Sequence, residues 1–126
     1  HELGRVYLAK GRRLRQSNFD CHNTKACLKA SGFYRKAAEY KNTEAMVFLG
    51  NVVLMLDAIS RKQRKAGTDK FVKAVMWWVI AERIGLENSN MDKNVKTFLE
   101  GHQKPGVIKK ANSLADKCMW KGLKGC

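Results

Sequence analysis

The side chains with most chemical potential in this sequence are four cysteines and two clusters of basic residues. Cys21 pairs in sequence with Cys27, and Cys118 with Cys126. An even count in two local pairs, in a small basic chain, favours disulfides over free thiols. Each short loop so closed would stabilise the fold by roughly 2–3 kcal/mol. The competing chemistry is a zinc site, but structural zinc pairs usually stand about two to four residues apart, and both pairs here are wider. Disulfides imply an oxidising location, the periplasm or the outside of the cell.

The basic clusters are Arg12, Arg13 and Arg15 in the segment from Gly11, and Arg61, Lys62, Arg64 and Lys65 after Ser60. They belong to a chain with 25 Lys and Arg against 11 Asp and Glu, a net charge of +14. Such a field draws acidic partners over about one Debye length, ~8 Å at physiological salt. Nucleic acid, an acidic protein and an anionic envelope surface all answer that description. Nucleic acid is the less favoured, because single-strand binding needs exposed stacking aromatics and the aromatics here fall at core spacing, with Phe19 the main loop exception. The bland alternative for each cluster is a solvated charged loop.

Catalytic patterns are sparse. His1, His22 and His102 are scattered, and none has metal-ligand or triad spacing. Cys21 beside His22 suggests a thiolate–imidazole pair, yet adjacent residues rarely point at one another and a disulfide would consume the thiol. Asp20 carries no motif. No Ser/His/Asp set, paired carboxylates, phosphate-cradling glycine loop or HExxH motif occurs. The expectation is a non-enzymatic protein without a cofactor.

The elements that would position these groups are helices. At 126 residues with 44% hydrophobic content, the chain is long enough for one domain with a real core. No apolar run approaches the ~20 residues of a membrane span; Ala45 to Leu56 is broken by Gly50 and Asn51 and reads as a buried core helix. No signal peptide is visible, and the sequence opens at His1 inside a helical pattern. Leu3, Val6 and Tyr7 repeat at helical spacing, followed by a basic stretch, Lys10 to Asn23, read as a loop. Asn23 or Thr24 should cap a second helix reaching Tyr40, and Thr43 a third, apolar nearly all round and hence central. Thr68 or Asp69 should open a fourth, ending near Gly85. A shorter helix is expected over 92–100, and Pro105 suits the first turn of the last. Six helices without a convincing strand make the fold class all-α.

Two segments align at an offset of about 44 residues: Lys29 to Glu39 with Lys73 to Arg83, within the range of helical-repeat periods. Leu3-Gly4 and Leu49-Gly50 precede them. Phe33-Tyr34 and Trp77-Trp78 are aromatic pairs, Ala37-Ala38-Glu39 follows the first, and Gly85 closes the second, where the first has Lys41.

This pattern resembles the Sel-one-like repeat family, α-helical relatives of the tetratricopeptide repeats. The resemblance covers about residues 2–88 and implies a short right-handed α-solenoid of two helix–turn–helix units. Repeat one would span about 1–42 and repeat two about 43–88, with capping helices over about 89–126. It implies protein–protein recognition through a concave groove lined by first helices. The two basic segments, at equivalent positions, would stack into one ridge steering an acidic partner. The chain departs from the family in its longer basic inter-helix loops. Its cysteines also lie elsewhere than in the stapled members, so that disulfide pattern does not carry over.

Three functions follow as expectations: a protein-binding module for an acidic partner, a periplasmic immunity or inhibitor protein neutralising a toxin effector, and, least supported, a β-lactam-binding or hydrolysing enzyme as in some cysteine-rich family members. Nothing in the chain matches a serine–lysine catalytic motif. A monomer is expected. The Cys118–Cys126 segment reads as a tail pinned to the last helix, with Trp120 and Leu123 as its possible contact residues.

Overall fold

The structure, a computed structural model, describes residues 1–16, 18, 20–60, 69–101 and 105–126. Among them are six α-helices and no strand: α1 (Glu2–Gln16), α2 (Thr24–Glu39), α3 (Thr43–Ser60), α4 (Asp69–Ile84), α5 (Ser89–Gly101) and α6 (Pro105–Trp120). Neighbours in sequence pack together from α1 to α4, and α4 then carries both α5 and, more extensively, α6. This is the chain-order stacking of a short solenoid of two hairpins plus closing helices. No helix of the described residues is long and apolar enough to cross a membrane.

The first helix is longer than its apolar residues suggest. Lys10, Gly11, Arg12, Arg13, Leu14 and Arg15 continue α1 to Gln16, correcting the expectation of a loop from Lys10. Lys, Arg and Gln are good helix formers, and Arg13 and Arg15 in the last turn suit the negative end of the helix dipole.

Caps fix the other boundaries. Asn23 begins α2, its Oδ1 accepting from Ala26 N at 3.2 Å. Asn42, rather than Thr43, caps α3, accepting from Ala45 N at 2.9 Å. Asn88 caps α5 by accepting from Met91 N at 3.1 Å, so α5 starts at Ser89 rather than near Asp92. Each cap satisfies a first-turn N–H with no partner inside the helix.

The two hairpins are built on the same contact. In α1, Gly11 leaves room for Tyr34 of α2; a Cβ there would lie 2.5 Å from the phenol ring. In α3, Gly50 does the same for Trp78 of α4, where a Cβ would meet Nε1 and come within 2.8 Å of Cε2. The glycine equivalent to Gly50 is therefore Gly11. Gly4 instead lies against the end of α2, 3.2 Å from Tyr40 Cβ for an added Cβ. Trp77 and Trp78 are both buried, as are the cysteines Cys21, Cys27 and Cys118.

The helix enclosed on all sides is α4, not α3: every residue from Ala74 to Ala81 is buried. In α3, Val53 to Leu56 remain partly exposed, with Leu54 and Met55 lining an open cleft.

Candidate functional site

Both expected disulfides are present, Cys21–Cys27 and Cys118–Cys126, and no cysteine is free. No group of three or more His, Cys, Asp or Glu side chains among the described residues could hold a metal. The histidines are not brought together. His1 stacks on Tyr40 with ring centroids 4.5 Å apart. The imidazole of His22 meets Asp20 at 2.7 Å on the surface, and His102 lies outside the described residues.

The first disulfide ties the α1–α2 connection to the opening turn of α2. Asn18, buried there, clamps the cap residue from both sides: its Nδ2 donates to Asn23 O at 2.6 Å, and its Oδ1 accepts from Asn23 N at 3.0 Å. Arg15 reaches over the bond, its Nη1 donating to Cys21 Sγ at 3.0 Å. The guanidinium is thereby held at the end of α1 facing α3.

The main concavity follows from the two glycine–aromatic contacts. Tyr34 and Trp78 each reach past their own hairpin to an aromatic on the next first-position helix. Tyr34 meets Phe48 of α3 at a centroid distance of 5.6 Å, and Trp78 meets Phe98 of α5 edge-on at 4.6 Å. These four rings form an aromatic floor.

Two clefts open over that floor. One, of about 700 Å³, is lined by Arg12, Arg15, Gln16, Tyr34, Phe48, Asn51, Leu54, Met55 and Ala58. The other, of about 410 Å³, is lined by Val47, Phe48, Asn51, Trp78, Asn88, Asn90, Met91, Asn94, Val95 and Phe98. They share Phe48 and Asn51, so together they make one groove along α1, α3 and α5. Their size is that of ordinary ligand sites, apolar with a few placed polar groups.

The polar groups are of two kinds. At one end stand the Arg12 and Arg15 guanidiniums, with Arg12 Cζ 6.0 Å from the Phe48 ring centroid. Burial pushes the Tyr34 phenol above its ordinary value of 10.0, while Arg15 and Arg12 pull it back down. Where the two clefts join stands the carboxamide of Asn51, and toward the other end those of Asn90 and Asn94, all three exposed. No acidic side chain among the described residues lines either cleft.

Of the basic residues singled out in sequence, Arg12 and Arg15 meet in this groove. They do so from a helix rather than a loop, so a ridge of two equivalent loops is not what holds them. Arg13 is exposed on α1 outside the groove lining. Arg61, Lys62, Arg64 and Lys65 lie outside the described residues. The asparagines escaped sequence reasoning because polar residues on helices ordinarily mean solvent. The available signal was Asn51, a poor helix former inside an otherwise apolar run. Comparison with known proteins finds no matching family model, no matching curated protein and no matching solved structure.

Proposed function

We propose that this protein is a non-enzymatic binding module whose groove takes an extended acidic segment of a partner protein. The observation that carries this reading is the groove's polar pattern: arginines at one end, exposed amides toward the other, and no acidic side chain among the described lining residues. Carboxamides offer one acceptor and two donors each, matching the alternating groups of an extended backbone. Arginine pairs with carboxylates in a two-point fork, and the net charge of +14 speeds encounter with an acidic chain. The apolar floor accommodates side chains between the charged ones.

The paired Gly11–Tyr34 and Gly50–Trp78 contacts support a reading as two repeated hairpins; the likeness to Sel-one-like repeats, whose members recognise proteins, belongs to the same proposal, although Gly11 follows Lys10 and not a leucine. The two disulfides support export to the periplasm or beyond. Residues Arg61, Lys62, Arg64 and Lys65 follow α3 directly in sequence and belong to the same proposal as a second source of positive charge.

The test is a pull-down from the native compartment with the wild-type chain, with Arg12→Glu combined with Asn51→Ala, and with charge reversal at positions 61, 62, 64 and 65. An acidic partner retained by the wild type and lost from the groove variant supports the reading. Equal recovery on all three chains sinks it.

A further inference from the structure

Trp120 stands apart from every other large apolar side chain in the described molecule. It is 91% exposed, whereas Trp77 and Trp78 are buried in the core. Its position is built rather than frayed. The last turn of α6 closes with Leu123 N donating to Cys118 O at 2.9 Å and Gly122 N to Met119 O at 3.0 Å. Gly122 takes the left-handed conformation, φ +71°, that this closure requires. Leu123 is buried beneath, and the Cys118–Cys126 disulfide holds the following residues back on the helix. The segment is thus pinned while Trp120 points away from it.

Two lysines and one carboxylate flank the indole. Lys117, Lys121 and Asp116 line the depression at its base, Asp116 being paired with Arg83 at 2.7 Å, and the same two lysines line a cleft of about 520 Å³ between α4 and α6. Lys73 and Lys110 complete that cleft's cationic wall over Met76 and Leu114, with Asp69 its one acidic side chain. Burial, and then the nearby Arg35, hold the Lys73 ammonium below its ordinary value. Among the described lining residues, four lysines thus face one carboxylate.

We propose that this end of the molecule docks on an anionic phospholipid surface, with Trp120 seated at the bilayer interface and lipid phosphates taken by the lysines of the α4–α6 cleft. Indoles prefer the headgroup level of a bilayer, where one edge is apolar and the other wet. Lysine stems lie along apolar surface while their ammonium groups reach the phosphates. A projecting indole beside a cationic cleft fits a soft, sign-matched surface without needing a complementary pocket, and that favours lipid over a folded acidic protein. The site uses none of the groove residues.

Because Trp77 and Trp78 are buried, exposure to an aqueous quencher reports on Trp120. The intact protein is titrated with phosphatidylcholine vesicles containing phosphatidylglycerol and with pure phosphatidylcholine vesicles. Anionic vesicles are expected to shift the emission to the blue, shield it from acrylamide and sediment the protein; neutral vesicles should do none of these. Trp120→Ser, at an exposed position, should keep the helical circular dichroism and lose the spectral response. Lys117→Gln with Lys121→Gln should lower partitioning by about ten-fold or more. Failure to sediment with anionic vesicles overturns the proposal. So does sedimentation with Trp120 still open to acrylamide, since adsorption would then be through bulk charge. Shielding by soluble polyglutamate but not by vesicles would make the patch a protein contact and overturn it equally.

Discussion

Gly50 and Trp78 are fitted to one another: a Cβ on the glycine would overlap the indole, while the indole Nε1 donates to Val47 O at 3.1 Å, on the same stretch of α3. The absent side chain lets the ring reach the helix backbone, and from there the ring meets Phe98 to form half the groove floor. Hairpin packing and groove construction therefore share one contact.

Gly50→Ala should destabilise the fold by about 1–3 kcal/mol, since overpacking against the indole outweighs alanine's helix propensity. Gly11→Ala should behave alike through Tyr34. Gly32, inside α2, has open space where a Cβ would go, so Gly32→Ala should stabilise by about 0.5–1 kcal/mol. Urea unfolding of the three variants checks the opposite signs. Stabilisation by Gly50→Ala would contradict the fitted contact.

Lys41 closes α2 in the left-handed conformation, φ +63°, with Asn42 N donating back to Ala37 O at 3.2 Å. The matching position after α4 is Gly85, φ +113°. A side chain pays about 1–2 kcal/mol in this region. Lys41→Gly should therefore raise stability by about 0.5–1 kcal/mol, and Gly85→Ala should lower it. Thermal melts of both variants decide the point.

Asn18→Ala should cost about 1–3 kcal/mol, because it strips partners from both backbone groups of Asn23 at the start of α2. Hydrogen exchange at the Asn23 amide should accelerate with it. A variant as stable as the wild type would show that the clamp is dispensable beside the disulfide.

Glu82 of α4 and Asp92 of α5 share Lys96, whose Nζ is 3.5 Å from Glu82 Oε1 and 3.1 Å from Asp92 Oδ2. Burial, and then the neighbouring Asp92, hold Glu82 above its ordinary value of 4.5. Hydrogen bonding with Glu82 and Lys96 holds Asp92 below its ordinary 3.8. The Asp92 contribution is present above 3.8 and is lost as pH falls through its lowered value. The Glu82 contribution has the opposite sign: it is full below 4.5 and is lost as pH rises through the raised value. Glu82→Gln should thus be more stable than the wild type at neutral pH, with the advantage disappearing below about pH 4.5. A carboxyl-carbon NMR titration should place the two groups on opposite sides of the ordinary range, and Asp92→Asn should bring Glu82 down.

The local features were legible in sequence and the long-range ones were not. Cysteines six and eight residues apart can be paired from spacing, and Gly85 or Pro105 mark helix ends by their backbone chemistry. The 44-residue offset shows in Tyr34 and Trp78 because both must fill the same gap. The sequence pattern points to Gly4 rather than Gly11, since an arginine-rich segment without an apolar stripe resembles a loop, whereas Tyr34 packs on Gly11. The groove asparagines come from α3 and from the start of α5. Only the way α5 lies on α4 brings Asn90 and Asn94 toward Asn51, and no periodicity encodes that placement.

The most direct test of the recognition groove is the dissociation constant, by calorimetry, of the acidic partner captured by the wild-type chain. Arg12→Glu with Asn51→Ala should weaken it by about ten-fold or more, at least ~1.4 kcal/mol. Trp120→Ser, outside the groove, should leave it unchanged. Wild-type affinity in the groove variant, with its helical content intact, would contradict the account.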